Sequence, residues 1–147
     1  MVAWVRLLRA HASMTRAMNA DLLNEHGLTI NDFEALMHLS RAEDGRMRRV
    51  DLAEGLLLTA SGVTRLLDGL EAAGYVERAA CDSDRRVVYA VITDTGREKL
   101  AAASKSHVVG VSSLLQERFD VEELDQLTEL LARLDGDESP VDEDCGT

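Results

Sequence analysis

The hydrophobic pattern of this chain changes at Gly74. Before this glycine, apolar residues recur every three or four positions, which is the period of an amphipathic helix. After it come two runs of β-forming residues, 75–79 and 87–93, joined by the polar segment 81–86. Two such runs with a polar connection predict a β-hairpin. The chain is therefore predicted to be mainly α with a small β hairpin, an α+β fold.

Six helices are predicted from this periodicity and from residues that cap helix ends. Asn31 is the expected N-cap of the second helix, and Thr59 or Ser61 that of the fourth. Asp120 and Glu123 match an Asp variant of the capping box at the start of the sixth. The predicted helices cover about 4–23, 31 to before 43, 50–57, 61–73, 95–119 and 120–134.

The fourth predicted helix has an apolar stripe and a polar stripe on opposite faces. Val63, Leu66, Leu67 and Leu70 form one apolar stripe, and the opposite stripe is Ser61, Thr64, Arg65 and Asp68. Short polar side chains let a helix approach the major groove closely, and an arginine can bind guanine O6 and N7 in bidentate fashion. Any solvated helix can carry a polar stripe, so the hairpin that follows decides in favour of a winged helix-turn-helix. The candidate DNA-binding residues on this helix are Ser61, Gly62, Thr64 and Arg65.

The charge distribution agrees with this interpretation. The net charge is −11, which by itself argues against a phosphate-binding protein. Residues 46–97, however, hold eight arginines and eight acidic residues, which leaves eight basic and 19 acidic residues elsewhere. The planar guanidinium group suits phosphates and guanine edges better than an ammonium group does. The window that contains the predicted helix-turn-helix thus has no net charge, and the remainder of the chain carries all of the acidic excess.

Three stretches of this sequence resemble the MarR family of bacterial regulators, and the resemblance covers nearly the whole chain. They are DLAEGL at 51–56, TASGVTRLLDGLEAAGYV at 59–76, and DSDRR at 82–86 followed by VITDTG at 91–96. The resemblance implies that the hairpin tip is the wing, with Arg86 in the minor groove and Asp84 holding its guanidinium group. Arg85 is expected to contact the DNA backbone. Leu57 stands where helix-turn-helix sequences often have Gly, which leaves the end of the third helix uncertain by one or two residues.

The resemblance also implies a homodimer in which the first, fifth and sixth helices of two chains intertwine. Two recognition helices about one DNA turn apart would bind a pseudo-palindromic operator with half-sites roughly 10 base pairs apart. The expected organisation has four parts. These are an N-terminal dimerisation helix at 1–28, a DNA-binding region at 29–97, C-terminal dimerisation helices at 98–135 and an acidic, disordered tail at 136–147.

Other classes of function find little support. The chain has no apolar run of about 20 residues for a membrane span, no signal-peptide pattern and no CxxC pair, so we expect a cytoplasmic protein. No phosphate-binding loop, GxSxG or HExxH motif is present, so we expect neither an enzyme nor a cofactor. Glu34 and His38 at i, i+4 could share a metal, but no further ligand supports them, and Cys81 could be redox-active or incidental. A small-molecule effector is expected from the family resemblance, without an identity.

The alternative from another class is a winged-helix module that binds a protein partner and not DNA.

Overall fold

A computed structural model describes residues 1–80 and 87–135 of the chain. Asp84, Arg85 and Arg86 of the predicted wing, as well as Cys81 and the acidic tail, lie outside the described residues. The elements in chain order are α1 (Val2–His26), α2 (Ile30–Arg41), a 3₁₀ turn (Glu43–Gly45), β1 (Arg46–Arg48), α3 (Arg49–Gly55), α4 (Ala60–Ala72), β2 (Val76–Ala80), β3 (Val88–Ile92), α5 (Asp94–Gln116) and α6 (Val121–Asp135). The predicted fold class, mainly α with a β hairpin, is confirmed.

Capping residues explain the ends of α1 and α2, but the N-cap of α2 is not the residue that the sequence predicted. Gly27 ends α1 in the left-handed conformation with φ 67°. Helix α2 is capped by Thr29 and not by Asn31: the Thr29 hydroxyl accepts from the Asp32 amide, and the Asp32 carboxylate accepts from the Thr29 amide. Asn31 lies inside the first turn of α2, so the prediction placed the cap two residues too late. This reciprocal pair is a capping box, and it satisfies two backbone donors at once.

The caps of α4 and α6 agree with the sequence. The Thr59 hydroxyl accepts a 3.2 Å hydrogen bond from the Gly62 amide, which selects Thr59 over Ser61 as the N-cap of α4. The Asp120 carboxylate accepts from the Glu123 amide at 2.9 Å, and the Glu123 carboxylate accepts from the Asp120 amide at 3.0 Å. The Asp variant of the capping box before α6 is therefore confirmed.

The sheet contains a strand that the sequence did not predict. β1 pairs antiparallel with β3, which pairs antiparallel with β2, giving the order β1-β3-β2. Val76 lies opposite Ile92 and Arg46 lies opposite Val91. The predicted hairpin is confirmed, with β2 and β3 each starting one residue later than expected. Because β3 lies in the centre, β1 ties the start of α3 to the hairpin.

Helices α1 to α5 and the sheet contribute to one hydrophobic core within the unit that spans Met1–Lys105, and Ser106–Thr147 form a second unit. From α4 the core receives Val63, Leu67 and Leu70, while Leu66 is half-buried beside it. The apolar stripe predicted on α4 is thus confirmed as its inner face. The other core residues are Leu22, Leu28, Phe33, Ala35, Leu36, Leu39, Leu52, Leu56, Val76, Ala90, Ile92, Leu100 and Ala103.

Helix α3 ends two residues before the predicted position, at Gly55. Leu57 in the following turn has a φ of 53°, the left-handed region that glycine adopts without strain. This is the position at which helix-turn-helix sequences often have Gly. A leucine therefore adopts the backbone conformation that ends α3, with its side chain 93% exposed.

No helix in the described ranges is both long enough and apolar enough to span a membrane.

Candidate nucleic-acid interface

Helix α4 presents an apolar face to the core and a polar face to the outside. On the polar face Arg65 and Asp68 are exposed, and Thr64 is half-buried. Ser61 is exposed and Gly62 is half-buried at the N-terminal end of the helix. The structure therefore brings the four predicted α4 residues together along one edge, with Arg65 the longest side chain among them.

Ser61 and Gly62 take part in the cap of α4. The Ser61 hydroxyl lies 3.2 Å from the Thr59 hydroxyl, which also accepts from the Gly62 amide. A Cβ atom on Gly62 would lie 3.3 Å from the Thr59 hydroxyl, so a larger residue would press on the cap. These contacts fix the geometry of the turn through which α4 would enter a groove.

The Thr64 hydroxyl is engaged within the protein. It donates a 2.9 Å hydrogen bond to the Ala60 carbonyl and accepts a 3.4 Å hydrogen bond from Nη1 of Arg49. Arg49 begins α3, so its guanidinium group reaches across to the polar edge of α4. Sequence reasoning counted Arg49 in the basic window but did not place it in the site. The signal that could have found it is a basic residue at the start of the helix before the reading helix.

The five arginines between residues 46 and 80 fall into two groups. Arg46 lies 3.4 Å from the Asp44 carboxylate and stacks over the Tyr89 ring at 5.3 Å, while Arg48 and Arg78 also form ion pairs. Arg49 and Arg65 form no ion pair within the described residues. The two arginines without a carboxylate partner there are the two that lie along the α3 and α4 edge, where they can bind phosphate or base oxygens.

Arg48 and Asp51 form a bidentate pair at the start of α3. Nε and Nη2 of Arg48 each lie 2.7 Å from a carboxylate oxygen of Asp51. This hydrogen bonding lowers the pKa of Asp51 and raises the pKa of Arg48. The pair is neutral overall, so Arg48 differs from its neighbour Arg49 in having its charge compensated.

Arg78 connects strand β2 to helix α4. Its Nε lies 2.8 Å from Glu71 Oε2, and Nη2 pairs with Asp68. The Asp68 carboxylate, which the sequence placed on the polar stripe, thereby shares the charge of Arg78 with Glu71. The contact also holds the hairpin against the reading helix.

The base of the hairpin is tied to the end of α4. The Thr93 hydroxyl donates a 2.7 Å hydrogen bond to the Gly74 carbonyl and accepts from the Gly96 amide. The Thr93 amide donates to the Tyr75 carbonyl at 3.0 Å. The predicted wing residues Asp84, Arg85 and Arg86 follow β2 in the sequence and lie outside the described residues.

A cavity of about 370 Å³ lies behind the helix-turn-helix, between α1, α2 and the turn after α3. His11, Glu34 and His38 give it polar groups, while Met37 and Leu56 are among its apolar residues. A Cβ atom on Gly55 would lie 3.2 Å from the His38 ring, so this histidine packs closely on the end of α3. Among the residues that the structure describes, no three His, Cys, Asp or Glu side chains are grouped to hold a metal ion.

Comparisons with known proteins agree with this geometry. A model of the MarR family matches residues 26–87, from the end of α1 to the hairpin. The HTH-type transcriptional repressor YetL of Bacillus subtilis is 32% identical over 108 residues, which are 74% of this chain and 64% of that protein, so the match spans less than two thirds of YetL. The HTH-type transcriptional regulator MhqR of the same organism is 28% identical over 89% of this chain and 88% of its own length.

Solved structures extend the similarity to almost the entire chain. AbsC, a MarR family transcriptional regulator from Streptomyces coelicolor, is 32% identical and superimposes with a TM-score of 0.79 over 92% of this chain and 90% of its own. A second MarR family regulator from that organism, solved in complex with DNA, is 25% identical with a TM-score of 0.81 over 98% of this chain and 90% of its own. With 32% identity to AbsC and coverage of 90% of that protein, this chain belongs to the MarR family of transcriptional regulators.

Proposed function

We propose that this protein binds a pseudo-palindromic DNA operator as a homodimer and represses transcription until a small molecule releases it. In this proposal α4 enters the major groove, where Arg65 contacts a base edge and the cap residues Ser61 and Gly62 approach the backbone. Arg86 would enter the minor groove with Asp84 as its partner, and Arg85 would bind phosphate. Since chromosomal DNA is the proposed partner, the cytoplasm is the proposed location.

The observation that carries the proposal is the distribution of compensated and uncompensated arginines. Of the five arginines between residues 46 and 80, Arg46, Arg48 and Arg78 pair with carboxylates. Arg49 and Arg65 have no ion-pair partner in the described residues, and both are on the helix-turn-helix. Arginines in that state have full charge available for phosphates. A regulator that is 25% identical to this chain was solved in complex with DNA, which supports DNA binding by this fold.

The exposed apolar side chains of the terminal helices support dimerisation. In α1, Trp4 is 60% exposed, with Val2, Val5 and Leu8 also exposed. In α6, none of residues 121–134 is buried, and Leu130, Leu131 and Leu134 are exposed. Apolar stripes of this extent mark association surfaces. A second copy of the chain is the proposed partner, and a variant truncated before Asp120 is expected to sediment as a monomer with weak operator binding.

We place the effector in the cavity between α1, α2 and the turn after α3. Gly55, Leu56 and Leu57 form part of its wall, and the same residues set the angle between α3 and α4. A ligand that binds one conformation of this turn more tightly than another would change the affinity of the protein for DNA. The imidazole, carboxylate and apolar groups of the wall suit a small molecule with an apolar body and polar substituents.

The salt dependence of DNA binding tests the proposal against the protein-partner alternative. Neutralisation of several phosphates predicts that affinity for an operator fragment falls by roughly 10³-fold or more between 50 and 200 mM salt. Fluorescence anisotropy with labelled genomic fragments measures this fall. A flat curve, or no binding at low salt, would favour the module that binds a protein partner.

A further inference from the structure

A notch of about 190 Å³ opens between α3 and α4 on the side where Arg49 reaches Thr64. We call it the α3–α4 notch. It is separate from the larger cavity behind the helix-turn-helix, with which it shares no lining residue. Its lining residues are Arg49, Val50, Ala53, Ala60 and Thr64.

The surface of the α3–α4 notch is mostly apolar. Val50 is 62% exposed at the second position of the seven-residue helix α3. Ala53 and Ala60 add two methyl groups. The only hydroxyl proton among these lining residues, that of Thr64, is donated to the Ala60 carbonyl. The notch therefore suits a small apolar group rather than a hydrogen-bonding one.

The positive charge of Arg49 at the edge of the notch limits which kind of molecule can supply the apolar group. Arg49 lines it and has no ion-pair partner in the described residues, so an anion is expected beside the apolar group. On the major-groove edges of DNA the one apolar group is the C5-methyl of thymine, and the phosphodiester backbone borders the groove. Thymine next to a phosphate therefore matches both properties of the notch.

We infer that the α3–α4 notch receives the C5-methyl group of one thymine in each half-site while Arg49 binds a neighbouring phosphate. This inference rests on the proposed DNA binding, and it adds a sequence-specific contact outside the polar edge of α4. Val50 is the residue that selects thymine, and Arg49 is a positioning residue that fixes the backbone. Nη1 of Arg49, which donates a 3.4 Å hydrogen bond to the Thr64 hydroxyl, would donate to a phosphate oxygen instead of Thr64 or in addition to it.

Replacement of single thymines by deoxyuridine tests the inference, since it removes only the methyl group. In a duplex obtained by selection from random DNA, one thymine per half-site is expected to be sensitive, with affinity about fourfold lower for each lost methyl contact. The Val50→Ala variant is expected to lose most of this sensitivity. The Val50→Thr variant, of the same shape, is also expected to bind less well to the thymine operator. If every thymine can be replaced without effect, or if Val50→Ala and wild type respond equally, the inference is wrong.

Adjacent arginines provide the matched control for the phosphate contact. The Arg49→Ala variant is expected to reduce the slope of log affinity against log salt by about 1 per half-site. Arg48→Ala removes the same formal charge from a compensated pair, so a smaller change in slope is expected. Equal slopes for the two variants would overturn the role of Arg49. If the wild type binds no DNA, the proposed function fails; if it binds DNA that is insensitive to uracil replacement, only the notch contact fails.

Discussion

Arg78 on strand β2 lies 2.8 Å from Glu71 on helix α4 and also pairs with Asp68, so one side chain joins the wing sheet to the reading helix. We predict that Arg78→Met weakens operator binding roughly 3- to 10-fold, because two carboxylates would then face the DNA phosphates uncompensated. Thermal stability should change little, since exposed ion pairs contribute about 0–1 kcal/mol. Anisotropy titrations and thermal unfolding measure the two effects, with Arg118→Met as a control that breaks an exposed pair outside α4.

Arg65 should affect which sequence is bound as well as how tightly. Arg65→Ala is expected to cost about 1 to 3 kcal/mol of operator binding and to relax the preference at one base position, if its guanidinium group meets a base edge. Arg86→Ala should weaken binding without unfolding, since the sequence places it in a polar connection. Competition between operator and mutated operator measures the preference. If both variants bind like wild type, these groove contacts are refuted.

Leu57 stores strain that a glycine would remove. A left-handed conformation costs a non-glycine residue roughly 1–2 kcal/mol, and glycine loses about 0.5–1 kcal/mol more entropy on folding. Leu57→Gly is therefore expected to raise the free energy of unfolding by about 0.5–1 kcal/mol. Leu57→Ala keeps the strain and should change it little, because the 93% exposed side chain contributes little packing. Denaturant unfolding at one protein concentration compares the variants, and a less stable Leu57→Gly would contradict the explanation.

Gly96 and Gly69 should respond in opposite ways to the same substitution. A Cβ atom on Gly96 would clash with the Tyr75 carbonyl oxygen, and this backbone atom cannot move without shifting the chain. Gly96→Ala is expected to cost about 2 to 3 kcal/mol. Gly69 lies within α4, and a methyl group added there would have no neighbour within 4 Å, so Gly69→Ala should stabilise by about 0.5–1 kcal/mol. Equal effects in thermal unfolding would show that the close approach of α5 to Tyr75 is not limiting.

The parts of the fold that could be predicted depend on local patterns. The apolar stripe of α4 and the reciprocal bonds of Asp120 and Glu123 follow from residues three to seven positions apart. Strand β1 could not be found in this way, because it has three residues and pairs with β3 more than 40 positions later. The start of α2 was misplaced because Thr29 and Asp32 form the stronger cap, although Asn31 alone is a favourable residue.

The candidate site was predictable along α4 but not across helices. Arg65 follows from its place opposite the apolar stripe, and it is exposed as expected. The contact between Arg49 and Thr64 joins residues 15 positions apart on two helices, and the turn at Leu57 sets their distance. The pairing of Arg78 with Asp68 is likewise a tertiary contact. Periodicity within one helix cannot distinguish arginines that pair with carboxylates from those that do not.

Selection of bound fragments from random duplex DNA tests the central proposal most directly. The symmetric dimer predicts that the recovered sequences contain an inverted repeat with half-sites centred roughly 10 base pairs apart. The same experiment with the Arg65→Ala variant should recover a weaker version of that repeat. Recovery of no shared sequence, or of a single motif without two-fold symmetry, would contradict binding by two helix-turn-helix units of one homodimer.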